Sequence, residues 1–365
     1  MPKQHLNEKE YLPILAMADG TPVTAENWEA RRAEMRKLLE TYSYGCTPDV
    51  QVKVSGIVKN KGFYHCAGKC VDEEIELTYE TKFGKGSFPI QIFTPVAVKK
   101  PPVFLHIAFS LAPNKCIPVE EIIDHGYALV VVDYQGMVND AHFGNFSDGI
   151  AAHFGTTATR TEDEWGKIGM WAWGTSRVMD YLIADQPQLD TKRVAVIGQS
   201  RLGKTALWCG AQDERFAAVI SNDSGYGGAA SSKKGSGERV DDFLRMGSWD
   251  WFCENFQNYR GALEDEKPYD QSFLLALIAP RYLLVGSAEK DRGADPQSEF
   301  LTTLHASAAW ELLGKKGLVT ENKMPIAPVY LDEGDVHYHC REGLHYLSRE
   351  DWAAYIRFLD EKFHS

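Results

Sequence analysis

The sequence predicts an α/β protein built on a doubly wound, mostly parallel sheet. Two observations carry this. Beyond residue 100, short and nearly continuous apolar runs recur at 103–107, 128–132, 194–197, 217–220, 282–285 and 329–331, the texture of parallel strands covered by helices on both faces. Between several of them lie stretches of helical pattern, at 165–184, 202–211, 298–313 and 349–363. Strands alternating with helices imply a wound sheet in a three-layer sandwich.

The first hundred residues read differently. Residues 24–42 form one amphipathic helix, with Thr24 as N-cap, Trp28, Met35, Leu38, Leu39 and Tyr42 at helical spacing, and Gly45 as the stop. From Val52 to Pro95 the pattern has period two, with Ile75, Leu77 and Tyr79 alternating with polar residues, which predicts antiparallel strands. No repeat, low-complexity tract or linker divides the chain. Residues 1–365 are therefore expected to form one domain, in which 1–100 supply a helix and an antiparallel extension of the sheet and 101–365 the main sandwich. Two inserts, 134–163 and 222–268, lack scaffold periodicity. The second carries Gly225, Gly227, Gly228, Gly235 and Gly237, then the aromatic cluster Trp249, Trp251, Phe252, Phe256 and Tyr259. Long irregular segments of this kind are expected to be functional loops or lids, or else a peripheral cap with its own small core.

Composition narrows the function. The 365 residues carry 39 basic and 51 acidic side chains, a net charge of −12, which repels phosphate backbones and anionic headgroups, so neither nucleic acid nor membrane is the expected partner. An aromatic content of 12% permits a sugar ligand. The 7 cysteines include no CxxC pair and read as reduced thiols. No apolar leader follows Met1. The expected location is cytoplasmic for a full-length chain, and secreted or periplasmic if a leader has been removed.

The segment VAVIGQSRLGKTAL (194–207) runs from buried strand through a Gly-flanked turn into a helix. Gly198, Gly203, Lys204 and Thr205 satisfy the spacing of a phosphate-binding P-loop. Alternatively, Ser200 stands at a nucleophile elbow, although the strict G-x-S-x-G form is missed: Leu202 occupies the second glycine position and Gly203 follows one later. Context favours the elbow. At least two core strands precede the motif, whereas P-loops usually follow the first. An elbow also needs an acid and then a histidine downstream. Asp291 follows the run at 282–285, and His345 follows the last run. The order Ser200, Asp291, His345 is that of α/β-hydrolases. A metal reading of His337, His339, Cys340 and His345, or of His65, Cys66 and Cys70, fits no standard zinc spacing, and no metal is expected.

GQSRLGK (198–204) resembles the G-C-S-R-x-G-K elbow of glucuronoyl esterases, carbohydrate esterase family 15, and identifies the chain as a bacterial-type member with the α/β-hydrolase fold. SNDSGYGGA (221–229), Pro280-Arg281, AEKDRGADP (288–296) and YHCREGLH (338–345) before Asp351-Trp352 agree. The resemblance implies Ser200 as nucleophile, His345 as general base and Arg201 in the oxyanion hole. It implies Asp291 as the supporting acid, with Asp223, at the family's second acid position, as partner or substitute. Lys204 and Trp251 would contact substrate, and the family's sugar-binding Gln and Glu fall on Asp242 and Asp250. Arg201 and Lys204 are expected to give the site a local cationic patch. Gly293 stands where the family carries Trp. The implied activity is cleavage of 4-O-methyl-glucuronoyl esters of plant cell-wall carbohydrate without a cofactor. An acetyl xylan esterase is the alternative; a P-loop nucleotide hydrolase and an inactive carbohydrate-binding relative are the readings outside that class.

Overall fold

Within each central apolar run, successive side chains enter two different cores. In a computed structural model, which describes residues 11–62, 65–140, 144–154, 160–231, 235–321 and 323–363, Val103, Leu105 and Ile107 join one core cluster while Phe104 and Ala108 join a second. Val194 and Val196 likewise separate from Ala195 and Ile197. Strand side chains alternate in direction, so a run that is apolar at every position must be covered on both faces. Each fully buried Val, Leu or Ile then contributes about 1.5–3 kcal/mol.

Ten strands form one sheet: β1 (Lys53–Gly62), β2 (Cys70–Thr81), β3 (Gly84–Pro95), β4 (Val103–Ala108), β5 (Ala128–Asp133), β6 (Val194–Gln199), β7 (Ala218–Asn222), β8 (Tyr282–Ala288), β9 (Val329–Leu331) and β10 (Val336–Arg341). Their order is β1-β2-β3-β5-β4-β6-β7-β8-β10-β9. The block from β5 to β10 is parallel throughout. β1, β2 and β3 extend it antiparallel through the β3–β5 pairing. Helices Lys167–Asp185 and Arg201–Gln212 put Trp171, Val178, Leu207 and Trp208 into the first core, and the C-terminal helix Arg349–Phe363 puts Trp352, Tyr355 and Phe358 into the second. Among the described residues, no helix is long and apolar enough to cross a membrane.

Several sequence expectations need correction. The first helix runs Trp28–Leu39 with Asn27, not Thr24, at the cap position; the Thr24 N–H donates to Asn27 Oδ1 at 2.7 Å. It continues into a π-turn, Glu40–Tyr44, before Gly45. The stretch 298–313 splits into Pro296–Ala306 and Ala308–Leu312. The run at 329–331 is an antiparallel edge, and the last parallel strand is β10, hidden from hydropathy by His337, His339 and Arg341. Burial of these polar side chains is tolerated because they bond one another's neighbourhood: His337 Nε2 lies 3.0 Å from His339 Nδ1, and His339 Nε2 lies 2.9 Å from Asp351 Oδ1.

The aromatic insert is mainly scaffold. Phe252 stacks on Phe256 at 4.0 Å between ring centroids, Phe243 packs edge-on against both, and Tyr44 stacks on Trp208 at 4.5 Å. These rings belong to the first core rather than to a separate cap. The same insert nonetheless lines the site through its first residues and through Glu238.

Candidate active site

Ser200 sits between β6 and helix Arg201–Gln212 with φ 58° and ψ −128°, a conformation that costs a non-glycine residue on the order of 1–3 kcal/mol. Its surroundings impose the turn. A Cβ on Gly198 would lie 2.1 Å from Leu202 O, so only glycine lets the helix start so close to the strand. The second small residue is needed one position later than the strict motif, because Gly203 faces Ser221, Ser224 and Gly198 O. Leu202 instead points into the core. The Ser200 N–H donates to Asn222 O of β7 at 2.9 Å.

β7, β8 and β10 deliver the other groups at their carboxyl ends, the edge at which open α/β sheets hold their sites. The segments after β8 and β10 zip together: Glu289 N–H donates to Arg341 O and Lys290 N–H to Gly343 O, both at 2.9 Å. Asp291 Oδ2 then meets His345 Nδ1 at 2.5 Å, and Asp291 Oδ1 accepts from Ala294 N–H at 3.2 Å. Burial pushes the Asp291 carboxyl up, but the His345 bond and charge and the N–H groups of Ala294 and Gly293 hold it below the usual range. Asp223, at φ 44°, takes a different set of partners. Its Oδ2 accepts from Tyr346 N–H at 3.2 Å and Arg341 Nη2 at 3.4 Å. Burial, then the charges of Glu299 and Asp351, push its carboxyl well above the ordinary range, with Arg341 opposing. One ligand-type atom each from Asp223, Asp291 and His345 lie within 4.8 Å of one another.

Ser200, Lys204, Asp223, Ser224, Glu238, Asp291, Gly293 and His345 are among the residues lining one cavity of about 200 Å³. Two larger clefts, of about 600 and 520 Å³, lie along residues 49–53 with 80–82 and beside Arg36, Trp173 and Arg215, with no serine–histidine–carboxylate set among their lining residues. Among the described residues no hydrogen bond joins Ser200 to His345.

The cations do not form the expected positive patch. Arg201 Nη1 is held by Asp140 Oδ2 at 2.6 Å with its guanidinium 4.5 Å from the Trp251 ring centroid, and Trp251 Nε1 donates to Asp140 Oδ1 at 2.7 Å. Asp140 thus positions Arg201 and Trp251, a role the sequence did not signal, since it lies in an irregular insert with no motif around it. Lys204 Nζ donates to Ser224 O at 2.6 Å and pairs with Glu238 Oε2 at 3.3 Å. That arrangement also removes the P-loop reading, since the lysine is committed and carboxylates line the space a phosphate would need.

Two expected substrate contacts lie elsewhere. Asp242 caps its own short helix, accepting from Arg239 N–H at 2.8 Å and pairing with Arg245. Asp250 is fully buried against Lys167, 2.7 Å away, and accepts from Gly144 N–H at 2.9 Å. Neither residue is among those lining the cavity, and the same holds for Arg201 and Trp251. The Gly293 position is open: the nearest atom to a Cβ there would be Asp291 Oδ1 at 3.6 Å.

Known proteins resemble this chain along most of its length. The family described as glucuronyl esterase, fungi, matches residues 79–314. The carbohydrate esterase MZ0003, from an unknown prokaryotic organism, is 35% identical over 95% of this chain and 88% of its own length. A glucuronoyl esterase from Solibacter usitatus superposes with a TM-score of 0.88 at 34% identity, covering 97% of this chain and 98% of that one. A promiscuous esterase of carbohydrate esterase family 15 from a marine bacterial metagenome gives 0.86 at 33% identity over 96% of each chain. With an elbow serine, a histidine–aspartate pair and relatives that match along nearly its whole length, this chain belongs to the glucuronoyl esterases of carbohydrate esterase family 15, carboxylic ester hydrolases on the α/β-hydrolase fold.

Proposed function

We propose that the protein cleaves 4-O-methyl-glucuronoyl esters of plant cell-wall carbohydrate by a serine mechanism. The observation that carries the reading is the 2.5 Å contact between His345 Nδ1 and Asp291 Oδ2 in a cavity shared with the strained Ser200. With Nδ1–H donated to the carboxylate, Nε2 is the free acceptor. It takes the Ser200 proton as Oγ attacks the ester carbonyl, and then protonates the departing alkoxide. The Arg201 N–H stands at the first helical position, where no intrahelical partner exists, and supports the developing oxyanion together with the fixed guanidinium; one such donor is worth roughly 3–4 kcal/mol. Water then hydrolyses the acyl-enzyme by the same proton route.

An acetyl ester is the second reading, favoured by the open space at Gly293, which offers the sugar no wall on that side. A panel of methyl and benzyl glucuronates beside acetylated xylo-oligosaccharides separates the two. Turnover confined to acetyl esters would overturn the glucuronoyl reading, and turnover that survives Ser200→Ala would remove the mechanism.

A further inference from the structure

Glu238 carries no motif, yet it is built into the cavity wall. Its N–H donates to Gly293 O at 3.0 Å, and the N–H groups of Ser236 and Gly237 donate to Asp295 Oδ2 at 2.5 and 3.2 Å. The segment 236–238 is therefore fastened to the same loop that presents Asp291. Gly225, at φ +61°, leaves room for the carboxylate: a Cβ there would come within 3.3 Å of Glu238 Oε2. The Glu238 side chain is 29% exposed and its partner Lys204 only 3%, so the carboxylate, not the ammonium, is the more accessible half of the pair.

Charge around the cavity is lopsided. Its lining sets Glu238 and Asp291 against Lys204, with the Asp223 carboxyl held toward its uncharged form by burial and by the charges of Glu299 and Asp351, and the nearby Arg201 is matched by Asp140. Ester and product differ in charge. Hydrolysis adds the oxygen of water to the acyl carbon and returns a hydrogen to the alkoxide; the acid so formed releases a proton and becomes a uronate. A neutral ester meets this wall with little electrostatic penalty, whereas a uronate meets a lysine already occupied by a carboxylate.

We propose that Glu238 is a specificity-determining residue that neutralises Lys204, so that the cavity admits neutral uronic esters and expels the uronate anion, while its exposed oxygen accepts a hydrogen bond from a sugar hydroxyl. The inference rests on the uronic-ester reading above.

The test is inhibition of aryl-acetate hydrolysis by sodium glucuronate and by uncharged methyl glucoside, in wild type, Glu238→Gln and Glu238→Ala. Both variants should bind glucuronate about five- to tenfold more tightly, the scale of removing one partly screened charge at contact distance, and methyl glucoside no more tightly. The gain should shrink as salt is raised. Unchanged glucuronate inhibition, or equal gains for the charged and uncharged sugars, would overturn the proposal. Calorimetric titration of the same two sugars reads the same ratio without turnover. Because the reporter is an acetate, this result stands apart from a failure to cleave glucuronate esters, which counts against the substrate reading instead.

Discussion

His345 Nδ1 takes Asp291 Oδ2 as its partner at 2.5 Å, although the Asp223 carboxylate lies in the same cluster and directs its Oδ2 to Tyr346 N–H and Arg341. The two acids therefore have separate tasks. Asp291 fixes the imidazole tautomer, and Asp223 fixes the backbone that carries the imidazole. Asp291→Asn should lower kcat by about 10²–10⁴-fold, as expected when the supporting carboxylate of a triad is lost. Asp223→Asn should lower it by no more than about tenfold, since the amide oxygen can still receive Tyr346 N–H. Steady-state kinetics on an aryl acetate ranks the two, and equal losses would refute the division.

Arg341 is the hub beneath that loop. Its Nε donates to both oxygens of Asp351, its Nη1 to Glu342 O, and its Nη2 to Leu344 O and Tyr346 O. Arg341→Met takes the guanidinium from the buried Asp351, leaving it only neutral or histidine donors at His339 and Ser348, and denaturant unfolding should show a loss of about 3–5 kcal/mol. Gly343→Ala disturbs only the wrapping: φ is +108° there and the new Cβ would lie 3.2 Å from Arg341 Nη1. That strain, about 1–3 kcal/mol, should appear mainly as lower kcat at nearly constant KM.

Glu299 should contribute a fall in stability as pH rises. It is buried, accepting from Ser224 N–H, Gly225 N–H and Ser287 Oγ at 2.9, 3.0 and 2.6 Å. Burial pushes its carboxyl up to about 7 from an ordinary 4.5 despite those donors. Below pH 4.5 both folded and unfolded chains hold the proton. Between 4.5 and 7 the unfolded chain releases it first, and stability drops by on the order of 3 kcal/mol, remaining low above 7. Glu299→Gln, whose oxygen can keep the two N–H donors, should flatten unfolding curves compared at pH 5 and 8. An undiminished slope would refute the assignment.

Two glycines of the site should respond oppositely to alanine. At Gly198 the methyl would sit 2.1 Å from Leu202 O, backbone that cannot yield without moving the helix, so Gly198→Ala should destabilise by more than about 3 kcal/mol and abolish activity. At Gly293 nothing lies within 3.5 Å of the new carbon, and Gly293→Ala should change the melting temperature by less than about 2 °C. Thermal unfolding of the pair checks both.

Apolar runs made the parallel strands legible because burial on both faces leaves a signature in the order of residues. β10 escaped because three of its buried positions are polar, His339 and Arg341 among them being balanced by Asp351 of the helix that follows. The elbow, Asp291 and His345 were readable from chain order and resemblance. Asp140 and Glu238 were not, since each gains its position from contacts across the fold, with Arg201 and Trp251 in one case and Gly293 in the other. Asp242 and Asp250 show the converse: the resemblance conveys a residue's place in the chain but not that a capping bond or a buried lysine engages its side chain.

β6, β7, β8 and β10 are consecutive neighbours, so Ser200 and the end of β10 are separated by three strand spacings, roughly 14 Å at the backbone. No side chain bridges that gap. The turn after Arg341 must travel back across two strands, and the Tyr346 N–H seated on Asp223, which follows β7, marks how far it has come. Reach, rather than chemistry, is what residues 342–344 supply to His345. Removing or adding a single residue there should therefore be far more damaging than exchanging any one of them, because the imidazole would stop short of the serine or overshoot it while every reactive group remained present.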